Sequence, residues 1–166
     1  MSTLELVIRS AQADDVIKIA EIEDKCFPPA EAASLKSFLE RFMAFPECFL
    51  VAEVEGKVVG HINGCVTDCP SLPDALYHNT SLHQPEGLWQ TVFGLAVLPE
   101  YQHKGIARAL MRQFQKMAKE RGKEGVVLTC KEAKIGFYES LGFQCEGVSE
   151  SSHGGATWND MILKFS

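Results

Sequence analysis

The sequence has no run of apolar residues long enough to cross a bilayer, which argues against a membrane-spanning helix. Residues 1–6 lack the basic start and the apolar stretch of a secretory signal peptide. Basic residues are in the minority, since 16 lysines and arginines face 22 aspartates and glutamates and the formal net charge is −6. Nucleic-acid binders carry a basic surplus. We therefore expect a cytoplasmic protein with neither a membrane nor a nucleic acid as partner.

Cysteine motifs are also lacking. The six cysteines include no Cys-x-x-Cys pair, and several lie in apolar runs, so we interpret them as reduced core residues and expect no metal site. The length of 166 residues suits a single domain with one core, which we place at residues 1–166.

The pattern of apolar residues predicts the element order β-αα-ββ-β-α-β-α-ββ, which is typical of an α/β protein with helices on both faces of a sheet. A helix is predicted to start near Asp14 and a buried central strand to cover residues 88–97. A strongly amphipathic helix follows that strand and ends before Gly122. Residues 68–87 are polar, and a loop of this length in a small domain is often a lid or a binding loop.

Residues 102–107 are the most informative segment, because they read Gln-x-x-Gly-x-Ala between the end of a strand and the start of a helix. A helix N-terminus leaves main-chain N–H groups unpaired and carries a partial positive charge. Gly105 has no side chain to keep a bulky anion away, and Lys104 and Arg108 add charge beside it. The segment lacks the Gly-Lys-Ser/Thr of a P-loop and the three glycines of a dinucleotide-binding fingerprint. It predicts an anion site, with a glycine that merely starts a helix as the alternative.

This segment and its surroundings resemble the GNAT superfamily of acetyltransferases. Residues 95–99 read Leu-Ala-Val-Leu-Pro ahead of the glycine segment, and residues 137–143 read Phe-Tyr-x-x-x-Gly-Phe, as in that superfamily. The resemblance covers nearly the whole chain in the expected order. It implies the α/β GNAT fold, a mixed and mostly antiparallel sheet of about six to seven strands with a splayed central strand.

Within the superfamily, the sequence is most similar to the arylalkylamine (serotonin-type) N-acetyltransferases and their bacterial relatives, through residues 21–23, 94–97 and 128–132. This resemblance implies transfer of an acetyl group from acetyl-CoA to the primary amine of a small molecule, by direct attack in a ternary complex. Because GNAT acceptors diverge on one fold, a peptide N-terminus, a lysine, a polyamine and an aminoglycoside stay open as acceptors. The sequence is also compatible with a non-catalytic acyl-CoA-binding regulatory module and with a structural or partner-binding domain.

The resemblance also implies roles for single residues. Leu95 and Val97, with Ala96 between them, contact the acetyl-pantetheine arm of acetyl-CoA. The pyrophosphate is held mainly through main-chain N–H groups, in a set of seven consecutive residues: Gln102, His103, Lys104, Gly105, Ile106, Ala107 and Arg108. Tyr138 corresponds to the tyrosine that faces the sulfur atom. A phenol with an unperturbed pKa of about 10 is protonated at neutral pH and can serve as general acid, and a core aromatic is the alternative.

The general base is where the sequence departs from its animal relatives. They carry two histidines on the central strand, where this chain has Thr91 and Phe93, neither of which titrates usefully. The proton must leave by another route, for which four residues are candidates: Glu23, Glu31, His61 and His153. A structural or solvated side chain is the alternative for each of them.

The resemblance implies an amine pocket formed by Phe27, Pro28, Leu95 and Thr129, and Trp158 is a further candidate. Apolar and aromatic walls suit an arylalkyl side chain, although ordinary core packing is the alternative. We expect a monomer or a homodimer.

Overall fold

The computed structural model describes residues 5–165, so the interpretation of residues 1–4 lies outside the described residues. Nine strands form within this range: β1 (Leu6–Ser10), β2 (Phe49–Val54), β3 (Lys57–Asn63), β4 (Val66–Thr67), β5 (Trp89–Val92), β6 (Gly94–Val97), β7 (Gly125–Cys130), β8 (Gln144–Val148) and β9 (Asn159–Lys164). The same range holds five α-helices: α1 (Val16–Cys26), α2 (Leu35–Ala44), α3 (Ala75–His78), α4 (Ile106–Glu120) and α5 (Ile135–Glu139). None of these helices combines the length and the apolar character that a membrane crossing requires.

The described chain divides into two compact units. The first contains residues 5–63 and Gly94–Phe114, and the second contains Gly64–Phe93 and residues 115–165. Each unit is built from two separate stretches of chain, so no single cut of the chain separates them. The assignment of residues 1–166 to one domain stays a prediction.

The first unit contains a four-stranded antiparallel sheet in the order β1-β2-β3-β6. Helix α1 packs against β3, β6 and α2. Its inward face carries Ile19 and Ile22, which are fully buried, and Glu23. Phe27 follows the helix end and has an extended backbone.

Helix α2 begins at Leu35, and Ser34 caps its N-terminus, since the Ser34 side chain accepts a hydrogen bond of 3.1 Å from the Ser37 N–H. Its buried face is not purely apolar. Leu35 and Leu39 are exposed, whereas Arg41 is buried three residues after Phe38. A buried guanidinium requires polar partners, and one of them belongs to the candidate site described below.

The second unit contains a five-stranded sheet in the order β4-β5-β7-β9-β8, in which only β5 and β7 run parallel. Trp89, Val127 and Ile162 pack together in its core. Helix α5 packs against β8 and β9. Gly122 follows α4 with a φ of +78°, as the predicted helix end requires.

Nine strands replace the expected six to seven. Residues 57–67 form two strands, β3 and β4. The predicted central strand becomes β5 and β6, which belong to different sheets and are separated by Phe93 alone. The expected splayed central strand corresponds to this break. The fold class, a mixed and mostly antiparallel α/β GNAT fold, is confirmed.

The polar segment of residues 68–87 is more ordered than a plain loop. It contains α3 and a 3-10 turn at Thr80–Leu82. Leu72 and Leu76 are buried and anchor the segment within the second unit. The segment therefore holds its aromatic residues in defined positions.

Candidate active site

The predicted anion site is the loop of residues 102–105, directly ahead of α4, which contains two residues with a left-handed backbone and which we call the left-handed loop. His103 has a φ of +62° and Gly105 a φ of +83°, and residues 102–105 are exposed. A Cβ on Gly105 would meet no atom within 4 Å, so glycine is favoured here by the backbone conformation and not by lack of space. Successive left-handed and helical residues turn their N–H groups to one side and form an anion-binding concavity.

The loop is tied to the neighbouring strand. The Gln102 side-chain amide donates a hydrogen bond of 2.9 Å to the carbonyl oxygen of Val97. The helix that follows is 15 residues long, so its first-turn N–H groups and its dipole add to the same site. Of the predicted set, Lys104 and Arg108 are exposed, whereas Ile106 is buried and fixes the first turn against the core.

Strand β6 carries the residues predicted to contact the acetyl-pantetheine arm. Ala96 and Val97 are buried, and Leu95 is partly exposed. The strand pairs with β3 through Leu95 opposite Ile62 and Ala96 opposite His61. Helix α1 lies along it, and the Cys26 thiol donates to the Val97 carbonyl oxygen at 3.2 Å.

Tyr138 lies on α5 in the second unit. Its ring meets Phe137 and Phe143 edge to face, with ring centres 5.1 and 5.7 Å away. Burial of the hydroxyl group raises the pKa of Tyr138 above its ordinary value, and the ionised forms of Cys130 and Tyr77 add to this shift. The phenol therefore stays protonated at neutral pH, as a general acid must.

Two of the four candidate bases lie together in the first unit. Glu23 Oε1 and His61 Nε2 are 3.3 Å apart, and both side chains are buried. The other carboxylate oxygen of Glu23 accepts a hydrogen bond of 3.0 Å from the Ala33 N–H. A methyl group placed on Gly94 would come within 3.3 Å of Glu23 Oε1, so the carboxylate lies against the start of β6.

The other two candidate bases have different surroundings. Glu31 lies in the connection between α1 and α2, where its N–H closes a turn on the Pro28 carbonyl oxygen at 2.9 Å. It is partly buried, whereas the sequence suggested an exposed carboxylate. Two predicted pocket residues, Phe27 and the exposed Pro28, begin the same connection. His153 belongs to the second unit.

His153 belongs to a cluster of four rings that we call the aromatic cluster: Tyr77, Phe93, His153 and Trp158. The Tyr77 and His153 rings are stacked, with centres 5.3 Å apart and planes 7° from parallel. Phe93 lies 4.8 Å from Tyr77. The Trp158 indole N–H donates to the His153 carbonyl oxygen at 2.8 Å. All four side chains are partly exposed, so ring surface is available to a ligand.

The aromatic cluster unites predictions that the sequence left separate. Thr129 lies next to the cluster, since the Tyr77 hydroxyl is 3.3 Å from Thr129 Oγ1. Sequence reasoning did not identify Tyr77, because no spacing links the polar segment to β7. An aromatic residue in an otherwise polar segment was the available signal.

Among residues 5–165, no three His, Cys, Asp or Glu side chains gather in a group that could hold a metal ion. The expectation of no metal stays a prediction.

A left-handed glycine loop before a long helix, next to a strand that leaves its sheet, is the arrangement expected of a GNAT acetyltransferase. The chain belongs to the acetyltransferase (GNAT) family, whose model matches residues 16–143.

Curated relatives include N-acetyltransferase 8B of Homo sapiens, 34% identical over 105 residues that cover 61% of this chain and 40% of that protein. An N-alpha-acetyltransferase of Sulfurisphaera tokodaii is 32% identical over 143 residues, 82% of this chain and 79% of that protein. A serotonin N-acetyltransferase of Mesocricetus auratus is 27% identical over 158 residues, 92% of this chain and 74% of that protein. The chain spans 40 to 54% of the length of the first three curated relatives that it matches.

Solved structures share the fold. The GphF GNAT-like decarboxylase in complex with isobutyryl-CoA has a TM-score of 0.83 at 22% identity, covering 95% of this chain and 98% of that one. A GNAT family acetyltransferase from Brucella melitensis in complex with acetyl-CoA has a TM-score of 0.64 at 22% identity, covering 98% of this chain and 89% of that one.

Proposed function

We propose that this protein transfers the acetyl group of acetyl-CoA to the primary amine of a small molecule that carries an aromatic ring. The observation that carries the proposal is the left-handed loop of residues 102–105 at the start of α4, which suits a pyrophosphate. Membership of the GNAT family supports acetyl-CoA as the donor. The aromatic cluster and the similarity to a serotonin N-acetyltransferase support an aromatic acceptor.

We assign the donor side as follows. Main-chain N–H groups of residues 102–108 hold the pyrophosphate, with Lys104 and Arg108 at its edge. Residues 95–97 of β6 contact the acetyl-pantetheine arm, and a main-chain N–H of this strand polarises the thioester carbonyl. Much of the rate gain then comes from holding the two reactants in the attacking geometry.

The proton steps need an acid and a base. The acceptor ammonium loses one proton to the base, and the nitrogen lone pair then attacks the thioester carbonyl carbon. The C–S bond breaks, and the leaving sulfur takes a proton from Tyr138. The second proton of the amine nitrogen restores the phenol, so the products are the amide, free coenzyme A and one proton on the base.

Of the four candidate bases we favour Glu23. Within residues 5–165 its buried Oε1 accepts no well-aligned hydrogen bond, lies 3.3 Å from His61 Nε2 and faces Gly94, so it keeps lone pairs available for a proton. It lies against the strand that carries the thioester in our assignment. Glu31 and His153 stay as the bases to test if Glu23 variants retain activity.

The experiment is a thiol-release assay with acetyl-CoA and a panel of acceptors. The panel pairs arylalkylamines with aliphatic amines of the same chain length, and adds peptides with free N-termini, lysine, a polyamine and an aminoglycoside. We expect kcat/KM for the ring-bearing amines to exceed that of the matched aliphatic amines by about tenfold or more.

Two outcomes would replace the proposal. A clear preference for peptide N-termini would assign the second function, which the similarity to the N-alpha-acetyltransferase of Sulfurisphaera tokodaii favours. Calorimetric binding of acetyl-CoA without turnover of any acceptor would indicate a regulatory acyl-CoA-binding module.

A further inference from the structure

A buried polar network in the first unit ends on two atoms that no hydrogen bond satisfies. His61 is fully buried and Glu23 is 5% exposed. Within the described residues, Glu23 Oε1 and His61 Nε2 each lack a well-aligned hydrogen bond, although they lie 3.3 Å from each other. A buried polar atom left in this state carries a desolvation cost that no partner offsets. Such a cost calls for an explanation beyond packing.

The other ring nitrogen of His61, Nδ1, faces the side chain of Asn63. Asn63 Nδ2 lies 3.5 Å from His61 Nδ1, and Arg41 donates a hydrogen bond of 3.4 Å to Asn63 Oδ1. Because a guanidinium can only donate, it attracts the amide oxygen of Asn63 and leaves the amide nitrogen facing the imidazole. An N–H that faces Nδ1 requires this nitrogen to be unprotonated. The neutral ring therefore carries its hydrogen on Nε2, which faces Glu23.

The surroundings hold the ring and the carboxylate in place. Phe38 meets the His61 ring edge to face with centres 5.5 Å apart, and Arg41 lies over the same Phe38 ring at 5.3 Å. The Ala33 N–H occupies Glu23 Oε2. One oxygen of the Glu23 carboxylate therefore accepts a main-chain hydrogen bond, and the other faces the imidazole of His61.

We propose that His61 is a positioning residue for Glu23. The series Arg41, Asn63 and His61 keeps the ring hydrogen on Nε2, 3.3 Å from Glu23 Oε1, and so holds this oxygen facing Gly94. The inference rests on the proposed function, in which Glu23 takes the proton of the acceptor amine. In that step the ammonium N–H bond breaks, its electron pair stays on nitrogen, and the proton forms an O–H bond on Glu23. His61 keeps its own proton throughout.

The first test needs no activity. Nuclear magnetic resonance of the ¹⁵N-labelled full chain reports which ring nitrogen of His61 carries hydrogen. We expect the Nε2–H form in the wild type. We expect the Nδ1–H form in Asn63→Asp, because an aspartate accepts and cannot donate, while its size and its attraction for Arg41 are kept. A wild-type ring with hydrogen on Nδ1 would overturn the inference.

The second test compares His61→Gln with His61→Leu. The glutamine keeps an N–H donor at the end of its side chain, and the leucine does not. We expect His61→Leu to lower kcat about 10- to 100-fold, with KM for both substrates within about twofold, and His61→Gln to restore most of that loss. Equal losses in two variants that both fold, as judged by circular dichroism, would mean that His61 only fills space.

The two tests separate this inference from the proposed function. A wild-type protein that acetylates no amine overturns the proposed function, and the inferred role of His61 falls with it even if the Nε2–H form is observed. An active wild type in which Asn63→Asp moves the hydrogen to Nδ1 while kcat is unchanged overturns the inference alone.

Discussion

The hydroxyl oxygen of Tyr77 lies 3.3 Å from Oγ1 of Thr129, so the short helix α3 is joined to strand β7 within the second unit. The same tyrosine ring stacks on His153 and lies against Phe93. One residue of the polar segment thus organises the aromatic cluster.

Replacing this residue tests the cluster as the acceptor site. We expect Tyr77→Leu to raise KM for ring-bearing amines about tenfold, because a lost ring contact costs about 0.5 to 1.5 kcal/mol beyond the lost buried area. KM for matched aliphatic amines should change little. The control is Leu82→Ala, an exposed apolar residue of the same segment outside the cluster. A parallel rise in KM for both kinds of amine would contradict a ring-binding role.

Gly105 and Gly122 form a matched pair for testing the anion loop. Both have left-handed backbones, with φ of +83° and +78°, and neither has an atom within 4 Å of an added Cβ. Alanine at either position should therefore cost about 1 kcal/mol of unfolding free energy. Only Gly105→Ala should weaken acetyl-CoA binding, by about tenfold, because only that loop faces the pyrophosphate in our assignment. Calorimetric titration and thermal unfolding measure the two effects, and equal affinities in the two variants would remove the loop from the binding site.

Tyr138→Phe tests the general acid. We expect kcat to fall about 100-fold with unchanged affinity for acetyl-CoA, since only the departing thiolate loses its proton donor. The raised pKa of Tyr138 keeps the phenol protonated beyond its ordinary range, so wild-type kcat should show no decline from Tyr138 ionisation up to about pH 10. Tyr101→Phe removes a comparable hydroxyl group outside the assigned machinery and serves as the control. Full activity of the Tyr138 variant would rule out the role.

Arg9→Met tests a charge network that ties β1 to the start of α1 and to β2. Arg9 pairs with Asp15 at 2.7 Å and also with Glu53. Its hydrogen bond is the main cause of the lowered pKa of Asp15. A carboxylate with a lowered folded-state pKa stabilises the protein above the ordinary pKa of 3.8, and this contribution is lost as the pH falls through the lowered value. We expect the variant to lose about 1 kcal/mol at pH 7, and the difference from wild type to shrink below pH 4.

Urea unfolding at pH 7 and pH 3 measures this difference. Lys18→Met, which removes the partner of the exposed Glu21 at 3.8 Å, is the control and should have almost no effect. A difference between Arg9→Met and wild type that is the same at both pH values would show that the ion pairs do not stabilise the fold.

Local patterns predicted the elements but not their interruptions. The amphipathic α4 and the glycine segment before it followed from periodicity and from helix-end chemistry. The break at Phe93 could not be read from residues 88–97, because a mainly apolar stretch of this length fits a single buried strand equally well. Only the pairing of β5 with β7 and of β6 with β3 separates the two halves.

The candidate site divides in the same way. Residues that lie within a sequence motif, as Gly105 and Tyr138 each do, were identified from sequence. Contacts between residues of different helices and strands were not. Glu23 and His61 were separate candidates, and their distance of 3.3 Å depends on the packing of α1 against β3. Arg41 was missed because charged side chains usually face solvent, although a position three residues after Phe38 lies on the same face of α2.

The position of β9 in its sheet has a consequence for synthesis on the ribosome. This strand lies between β7 and β8, yet it is made after both of them. A nascent chain that ends before residue 159 lacks the strand that joins β8 to the rest of the sheet, so β8 has no partner until β9 emerges. The second unit is therefore expected to complete its folding late in translation, while the antiparallel hairpin of β2 and β3 can already form co-translationally.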